Sequence, residues 1–202
     1  SIRFALSELG PLAVRIGVSI PGGILLEPNT GLTINNFVGE VEFFKTLPSI
    51  KDPFELRDPA FNITTSGDVG DWLSSLQQQV FNQYVAVQAN PNLGGFLAAF
   101  TEPMLIKGSA QVYSMYTSQF TFNGQIDLII STDGKFLVKG QLNFIGGAIS
   151  TSAKMYADLS NVADGSVTVL FLADLPDQVR LLTVHGKLDM GFRNENGEVV
   201  TI

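Results

Sequence analysis

The chain repeats one seven-residue phrase: Ile106-Lys-Gly-Ser-Ala-Gln-Val112, Phe122-Asn-Gly-Gln-Ile-Asp-Leu128 and Val138-Lys-Gly-Gln-Leu-Asn-Phe144. Each copy of this glycine phrase reads apolar, x, Gly, x, apolar, x, apolar, with its glycine at Gly108, Gly124 or Gly140. A fourth copy spans residues 184–190, and a fifth spans residues 37–43 with Val38 in a polar position. Side chains alternate between the faces of a strand, so the phrase predicts strands with one apolar and one polar face.

The second and third copies flank a hairpin signal. Residues 131–135 read Ser-Thr-Asp-Gly-Lys, and glycine after aspartate accepts the positive φ of a tight hairpin loop. A three-residue loop sets Ser131 opposite Lys135, Ile126 opposite Gly140, and Leu142 opposite Gly124. Each glycine then lies beside a large apolar residue, either as an ordinary bend in the sheet or as a point of close approach for another group.

Similar alternation in the rest of the chain predicts a mainly β protein, of β or α+β class. We expect a long antiparallel β-meander or sandwich with one amphipathic helix packed on the sheet. We expect a single β-rich domain over residues 1–202, possessing four sub-regions: strands in 1–44, a proline-rich ordered loop at 45–66, a helical segment at 67–100 and the meander at 101–202. The chain starts at Ser1 without a signal peptide, which fits a mature form or a fragment of a larger chain.

Residues 69–89 are predicted to form the main helix. Its apolar positions follow helical spacing and are Leu73, Leu76, Val80, Tyr84 and Val87, widened by Trp72 and Phe81. Ser66 or Asp68 would cap its start, and Asn90-Pro91 would end it. We expect this stripe to cover the apolar face of the meander. Residues 94–100 are a candidate for a second, short helix.

Composition excludes several classes of protein. The net charge is −7 and no basic patch occurs, so neither nucleic acid nor an anionic membrane surface is an expected partner. Only 15% of residues are charged, whereas about 25% is usual. There are no cysteines, which excludes disulfides and thiolate metal sites and favours an extracellular or cell-surface location, as in many bacterial surface proteins. No apolar run reaches about 18 residues, so we expect no transmembrane helix.

The sequence contains no catalytic motif. The one histidine, His185, lies in a polar position of the fourth phrase, and no nucleophile elbow, phosphate loop or zinc motif is present. Glu40 and Glu42 share a strand face, which like charges tolerate in water, so we expect both to be exposed. Residues 194–198 predict a hairpin turn rather than a calcium loop. We therefore predict no catalytic, cofactor-binding or metal residues, and a protein that is not an enzyme.

The two ends of the chain both predict strands without an evident partner. Residues 2–6 and 198–202 are β-like, and an uncovered strand edge is rare in native proteins. We expect these segments to pair with each other, with a neighbouring subunit or with sequence outside this chain.

The glycine phrase resembles modules of very large bacterial surface proteins, and it also resembles the β-groove repeats of lipid-transfer bridges. It contains no residue that is diagnostic of either family. We expect a non-enzymatic structural module of an extracellular or cell-surface assembly, which self-associates or packs on neighbouring modules through strand edges. Three features motivate it: no catalytic motif is present, the polar strand faces carry Ser, Thr, Asn and Gln, and the chain begins and ends on strand-like segments. The alternative is a binding module that holds a lipid or other apolar ligand between the helix and the sheet. The surroundings of Gly108, Gly124 and Gly140 distinguish the two functions. A ligand-binding module leaves an empty groove above these glycines, whereas in a closed core Trp72 and Phe81 fill the space above them.

Overall fold

The computed structural model describes residues 1–61, 69–195 and 198–201, and it confirms the predicted fold class. Across these residues, eleven strands form one antiparallel sheet in the order β1-β2-β4-β5-β6-β7-β8-β9-β10-β11, and β3 pairs with β4. The strands are β1 (Ile2–Ser7), β2 (Gly10–Val18), β3 (Ile24–Glu27), β4 (Leu32–Phe43), β5 (Met104–Ser114), β6 (Phe122–Ser131), β7 (Lys135–Phe144), β8 (Ile149–Asp158), β9 (Ser166–Leu175), β10 (Leu182–Glu195) and β11 (Glu198–Thr201).

The long connection between β4 and β5 carries the helices. These are α1 (Val69–Ser74), α2 (Gln77–Ala89) and α3 (Gly94–Thr101), preceded by 3-10 turns at Pro53–Arg57 and Pro59–Phe61. The loop predicted at residues 45–66 contains these two short turns. Each turn begins with proline, whose missing N–H is no loss at a helix start. Residues 62–66 of that loop, and the predicted caps Ser66 and Asp68, lie outside the described residues.

The β6–β7 hairpin has the predicted register. Ser131 pairs with Lys135, Ile126 with Gly140, and Gly124 with Leu142. This pairing continues through the sheet, so that Gly140 lies opposite Ala153, and Ala153 opposite Ala173. The phrases of β5, β6, β7 and β10 therefore place their apolar side chains on one face of the sheet, which we call the open face. The alternate residues form the covered face.

The helix was predicted to cover the apolar face of the meander, but the helices and the loop pack mainly on the other face. On the covered face Ile129, Leu137, Tyr156 and Leu170 are successive register partners in β6–β9, and each is at most 2% exposed. They form an apolar band on an otherwise polar face. The loop packs on this band through Leu47, Ile50, Leu56 and Phe61. On the open face Ile126, Leu128 and Ile130 remain 47%, 43% and 42% exposed.

The helix packs on the sheet as predicted, but through only part of the predicted stripe, joined by two glutamines. Trp72, Leu76, Gln79 and Gln83 are buried, whereas Leu73, Val80, Phe81 and Tyr84 are exposed. Trp72 and Leu76 contact Ala5, Leu12 and Ala13, and the Ser7 hydroxyl donates to Gln83 Oε1. Of the two glutamine amides, the Ser7 hydroxyl pairs only with Gln83 Oε1, and among the described residues both amide atoms of Gln79 and Gln83 Nε2 are buried without a hydrogen-bond partner. The exposed part of the predicted stripe faces outward, while Val87 packs against the cluster at α3.

The predicted short helix is present as α3, at the corner of the sheet beside the β1–β2 turn. Its Ala98 and Ala99 pack with Phe43 and Phe44, and partly buried Val14, Val41 and Met104 adjoin them. Gly95 allows this approach, since a Cβ there would lie 1.4 Å from the Leu9 carbonyl oxygen. Helix α3 thus covers a corner of the open face, and Ala86 and Val87 of α2 pack beside it.

The two terminal strands do not pair with each other. β1 pairs with β2, and β11 pairs back on β10 through Glu195–Glu198, so the two lie at opposite ends of the strand order. The expectation that residues 198–202 lack a partner within the chain is therefore wrong for 198–201. The hairpin predicted at 194–198 is confirmed as the β10–β11 pair, while its central residues 196 and 197 and the terminal Ile202 lie outside the described residues.

Candidate functional site

The open face is a broad apolar surface. None of the residues that β5–β9 and residues 182–190 of β10 place on it is charged. Many of its large side chains are between a third and a half exposed: Ile106, Ile126, Leu128, Ile130, Leu142, Met155, Phe171 and Val184. Exposed apolar patches of this extent mark sites of interaction.

The glycines open hollows in this surface. No heavy atom of the described residues lies within 4 Å of the position that a Cβ would take at Gly39, Gly108, Gly140 or Gly186. Gly39 and Gly108 are direct register partners, so their hollows adjoin. Gly124 differs, because a Cβ there would lie 2.8 Å from both Gln141 O and Leu142 Cδ2. Of the predicted pairs, Gly124 and Leu142 are in contact while Gly140 remains open.

The aromatic residues named as candidates to fill these hollows lie elsewhere. Trp72 is buried over β1, β2 and β4 on the covered face, where its Nε1 donates to Glu40 Oε1. Phe81 is 62% exposed on α2. Neither side chain reaches Gly108, Gly124 or Gly140, so the distinguishing observation favours an unfilled surface over a closed core.

Glu40 and Glu42 are buried, contrary to prediction. They are 3% and 1% exposed on the covered face, beneath α1. Lys107 lies directly across from Glu40 and places Nζ 3.2 Å from Glu40 Oε1 and 2.5 Å from Glu42 Oε1. Lys45 Nζ adds a contact of 2.6 Å to Glu42 Oε2. The prediction considered only the repulsion between the two glutamates. It left out Lys107 on β5 and Lys45 just after β4, which neutralise them.

The two carboxyl groups have opposite pKa shifts. Burial, reinforced by the hydrogen bond with Glu42, raises the pKa of Glu40 above its ordinary value. Burial also acts to raise the pKa of Glu42, but the charges of Lys107 and Lys45 outweigh it and hold the pKa below its ordinary value. The pair therefore favours an ionised Glu42 beside a more readily protonated Glu40. Its contacts tie β4, β5 and α1 together, which gives the cluster a structural role.

The remaining candidate residues do not converge. His185 is exposed, and its ring lies 4.6 Å from the ring of Phe54. The side chains of residues 194–198 lie outside the described part of the structure. Among the residues that are described, no three His, Cys, Asp or Glu side chains are grouped to hold a metal ion. Nor does any described helix combine the length and hydropathy needed to cross a membrane.

A polar pocket on the covered face was not anticipated from sequence. It encloses about 330 Å³ between the 3-10 turn at Pro53–Arg57 and strands β7–β9. Arg57 binds Asp174 at its rim through two hydrogen bonds of 3.0 and 2.7 Å. Lys139 and Lys154, direct partners on β7 and β8, both line it. Their pairing follows from the hairpin register, which is the signal that could have revealed it.

The chain matches no protein-family model, no curated protein and no solved structure.

Proposed function

We propose that this protein is a non-enzymatic module that holds an apolar ligand, such as the acyl chain of a lipid, against the open face of its sheet. One observation carries the proposal: the helices and the loop pack mainly on the covered face and leave the apolar face of the glycine phrases exposed. An acyl chain gains roughly 0.8 kcal/mol for each CH₂ that it buries there.

The accessible surface supports the same proposal. The chain exposes 11499 Å². A compact monomer of its 21.8 kDa would expose about 9,200 Å². The uncovered open face contributes to this excess.

The hollows at the glycines supply shape as well as hydrophobicity. Gly39 and Gly108 adjoin on β4 and β5, while Gly140 continues into Ala153 and Ala173 on β8 and β9. Small residues in register lower the surface across the strands, so a chain-like ligand lies closer to the backbone there than elsewhere. Apolar pockets with few polar groups are the usual form of lipid sites.

The direct test is extraction of the purified protein with organic solvent, followed by mass spectrometry, together with titration of a fluorescent fatty acid. We expect co-purified lipid, or saturable binding of the probe. Ile126→Lys places a charge at the centre of the open face and is expected to weaken probe binding at least about tenfold, which is 1.4 kcal/mol.

Gln111→Lys is the matched control, since it introduces the same side chain at an exposed position of the covered face. It is expected to leave probe binding unchanged, and thermal unfolding checks that both variants fold. Absence of both lipid and probe binding, or equal losses in the two variants, would refute the proposal.

A second candidate function is assembly through the free edge of β1. Ser1 and Gly17 exchange backbone hydrogen bonds of 2.8 Å in both directions. Pairs alternate along an antiparallel ladder, so the backbone groups of Ile2 and Phe4 point away from β2. The side chain of Phe4 is also 65% exposed. These outward groups favour pairing with the edge of another module, in an extracellular or cell-surface assembly.

Light scattering with size exclusion over a range of concentrations tests this assembly. Phe4→Pro removes the outward N–H of residue 4 and is expected to abolish any association, because proline has no donor for a new ladder. Phe4→Ala removes the same ring but keeps the N–H, so it separates pairing of the strand edge from contact through the side chain. A protein that is monomeric at every concentration contradicts this second function and leaves the first intact.

A further inference from the structure

The polar pocket on the covered face carries an excess of positive charge. Its lining includes four cations, Arg57, Lys139, Lys154 and Arg180, and two carboxylates, Asp174 and Asp177. The chain as a whole has a net charge of −7. A cationic pocket in an acidic protein is a local feature that overall composition does not produce.

The two carboxylates already have partners. Asp174 accepts from both nitrogens of the Arg57 fork and, at 2.6 Å, from the Thr183 hydroxyl. Asp177 accepts from the Ser152 hydroxyl at 2.7 Å. Neither forms an ion pair with Lys139, whose register partner on β6 is the buried Asp127. Burial raises the pKa of Asp127 and the charge of Lys139 acts against it, but among the described residues Lys139 has no hydrogen bond and no ion pair within 4 Å.

The two lysines lie side by side on neighbouring strands, and both line the pocket. Lys139 and Lys154 are direct register partners on β7 and β8, an arrangement that destabilises a sheet when both are charged. Lys154 is 7% exposed, and its Nζ donates to the Leu56 carbonyl at 2.6 Å. Burial, with the charge of Lys139 adding to it, lowers the pKa of Lys154 to about 8, although the charges of Asp177, Asp174 and Asp58 act in the opposite direction. An anion between the two ammonium groups would relieve both effects.

We propose that this pocket binds a phosphate group, either as free phosphate or as a small phosphate monoester, between the ammonium groups of Lys139 and Lys154. Each ammonium has three donors, and phosphate accepts charge-assisted hydrogen bonds from several of them at once. Gln141 supplies a neighbouring amide, and Arg180 lies at the rim. The volume of about 330 Å³ leaves room for a small polar substituent beside the phosphate.

The site is independent of the proposed apolar ligand. Lys139 and Lys154 belong to the covered face, while the exposed apolar residues lie on the other side of the same sheet. A lipid held on the open face therefore does not supply the phosphate. Failure of one proposal leaves the other standing.

The test is calorimetric titration of the full chain at constant ionic strength, with inorganic phosphate in one arm and glycerol 3-phosphate in the other. We expect saturable binding in at least one arm with a dissociation constant below about 1 mM. Tighter binding of glycerol 3-phosphate identifies a monoester as the ligand, and tighter binding of inorganic phosphate identifies the free ion. No saturable binding in either arm up to about 10 mM overturns the proposal.

Lys139→Met is the informative variant. It is expected to fold, because it removes one of two opposed like charges, and to weaken binding at least about tenfold. Lys187→Met is the control, since Lys187 is an exposed lysine paired with Asp189 on β10. Equal losses in the two variants indicate a general charge effect and overturn the proposal. As a second measurement, phosphate should raise the melting temperature of the wild type and of Lys187→Met, but not that of Lys139→Met.

Discussion

The two faces of the sheet are built from the same strands but are used in opposite ways. The open face is nearly uniform in its apolar character and remains exposed, whereas the covered face is mixed in polarity and carries the core. Ile126 and Ile129, three residues apart on β6, are 47% and 2% exposed. Hydrophobic content therefore does not decide which face is covered in this protein.

What decides it is complementarity with the β4–β5 connection. Lys107 on the covered face neutralises Glu42 and contacts Glu40, and the band from Ile129 to Leu170 receives the apolar side chains of the loop. The open face offers no such fixed partners beyond the α3 corner. A surface that is apolar yet left exposed by its own chain is typical of a face used for binding. The following substitutions test this difference between the faces.

The largest effect is expected for Lys107→Met. The change leaves Glu40 and Glu42 buried together without their shared cation, and breaking a buried ion pair in this way costs about 3–5 kcal/mol. Chemical denaturation measures the loss. The exposed pair of Lys187 and Asp189 is the comparison, because Lys187→Met should change stability by less than about 1 kcal/mol. Equal effects would mean that the buried cluster has no special role.

Leucine truncation compares the two faces directly. Leu137 is fully buried in the band, so Leu137→Ala should lower the free energy of unfolding by about 2–5 kcal/mol. Leu128→Ala removes the same atoms from a position that is 43% exposed and should cost less than about 1.5 kcal/mol. Urea denaturation of both variants provides the measurement. A similar loss in both would show that something covers the open face in solution.

Lys154 links the covered face to pH. Its folded pKa of about 8 lies below the ordinary 10.5, so between these values the unfolded chain binds more protons. The wild type should therefore become more stable relative to Lys154→Met as the pH rises from 8 to 10.5, with no change below 8. The gain is roughly 1.4 kcal/mol for each unit that separates the two pKa values. Denaturation in phosphate-free buffer measures it, and a constant difference across this range would contradict the burial of a charged Lys154.

The smallest effect is expected for Gly140→Val on the open face. Its Cβ would meet no described heavy atom within 4 Å, and valine suits a strand better than glycine. Stability should stay the same or rise by up to about 1 kcal/mol, while binding of an apolar probe falls. Gly124→Val is the matched comparison and should lose about 1–3 kcal/mol, because its Cβ clashes with the Gln141 carbonyl oxygen. Thermal unfolding of the pair settles whether the hollow at Gly140 is open.

Local features of the fold were predictable from the sequence, and the contacts between distant segments were not. The β6–β7 register follows from one turn and from alternation, both of which involve neighbouring residues. The choice of the covered face depends on where residues 45–61 dock, which alternation does not encode. Ile129 and Leu137, apolar residues in polar positions of the phrase strands, were the signal that a second face would be buried.

The candidate site divides in the same way. The glycine phrases can be recognised in the sequence, but whether their apolar face is exposed depends on where the helix packs. Gln83 is paired with Ser7, and Trp72 and Leu76 pack on the alanines of β1 and β2, which are far away in the sequence. The pairing of Lys139 with Lys154 could have been predicted from the hairpin register. The pocket that they line also needs Leu56 and Arg57 of the loop, whose position the register does not give.

The order of the strands also has a consequence for how the chain acquires its structure. From β5 to β10 every strand pairs with its neighbour in sequence, whereas β4 and β5 are joined through residues 44–103. Closing that connection costs roughly 2.7 kcal/mol more in chain entropy than closing a three-residue hairpin loop. We therefore expect the C-terminal half to fold first and to serve as the template on which β4, β2 and β1 assemble. During synthesis the N-terminal half leaves the ribosome before the C-terminal half is made. The edge of β4 that pairs with β5 therefore stays unpaired until β5 has been synthesised.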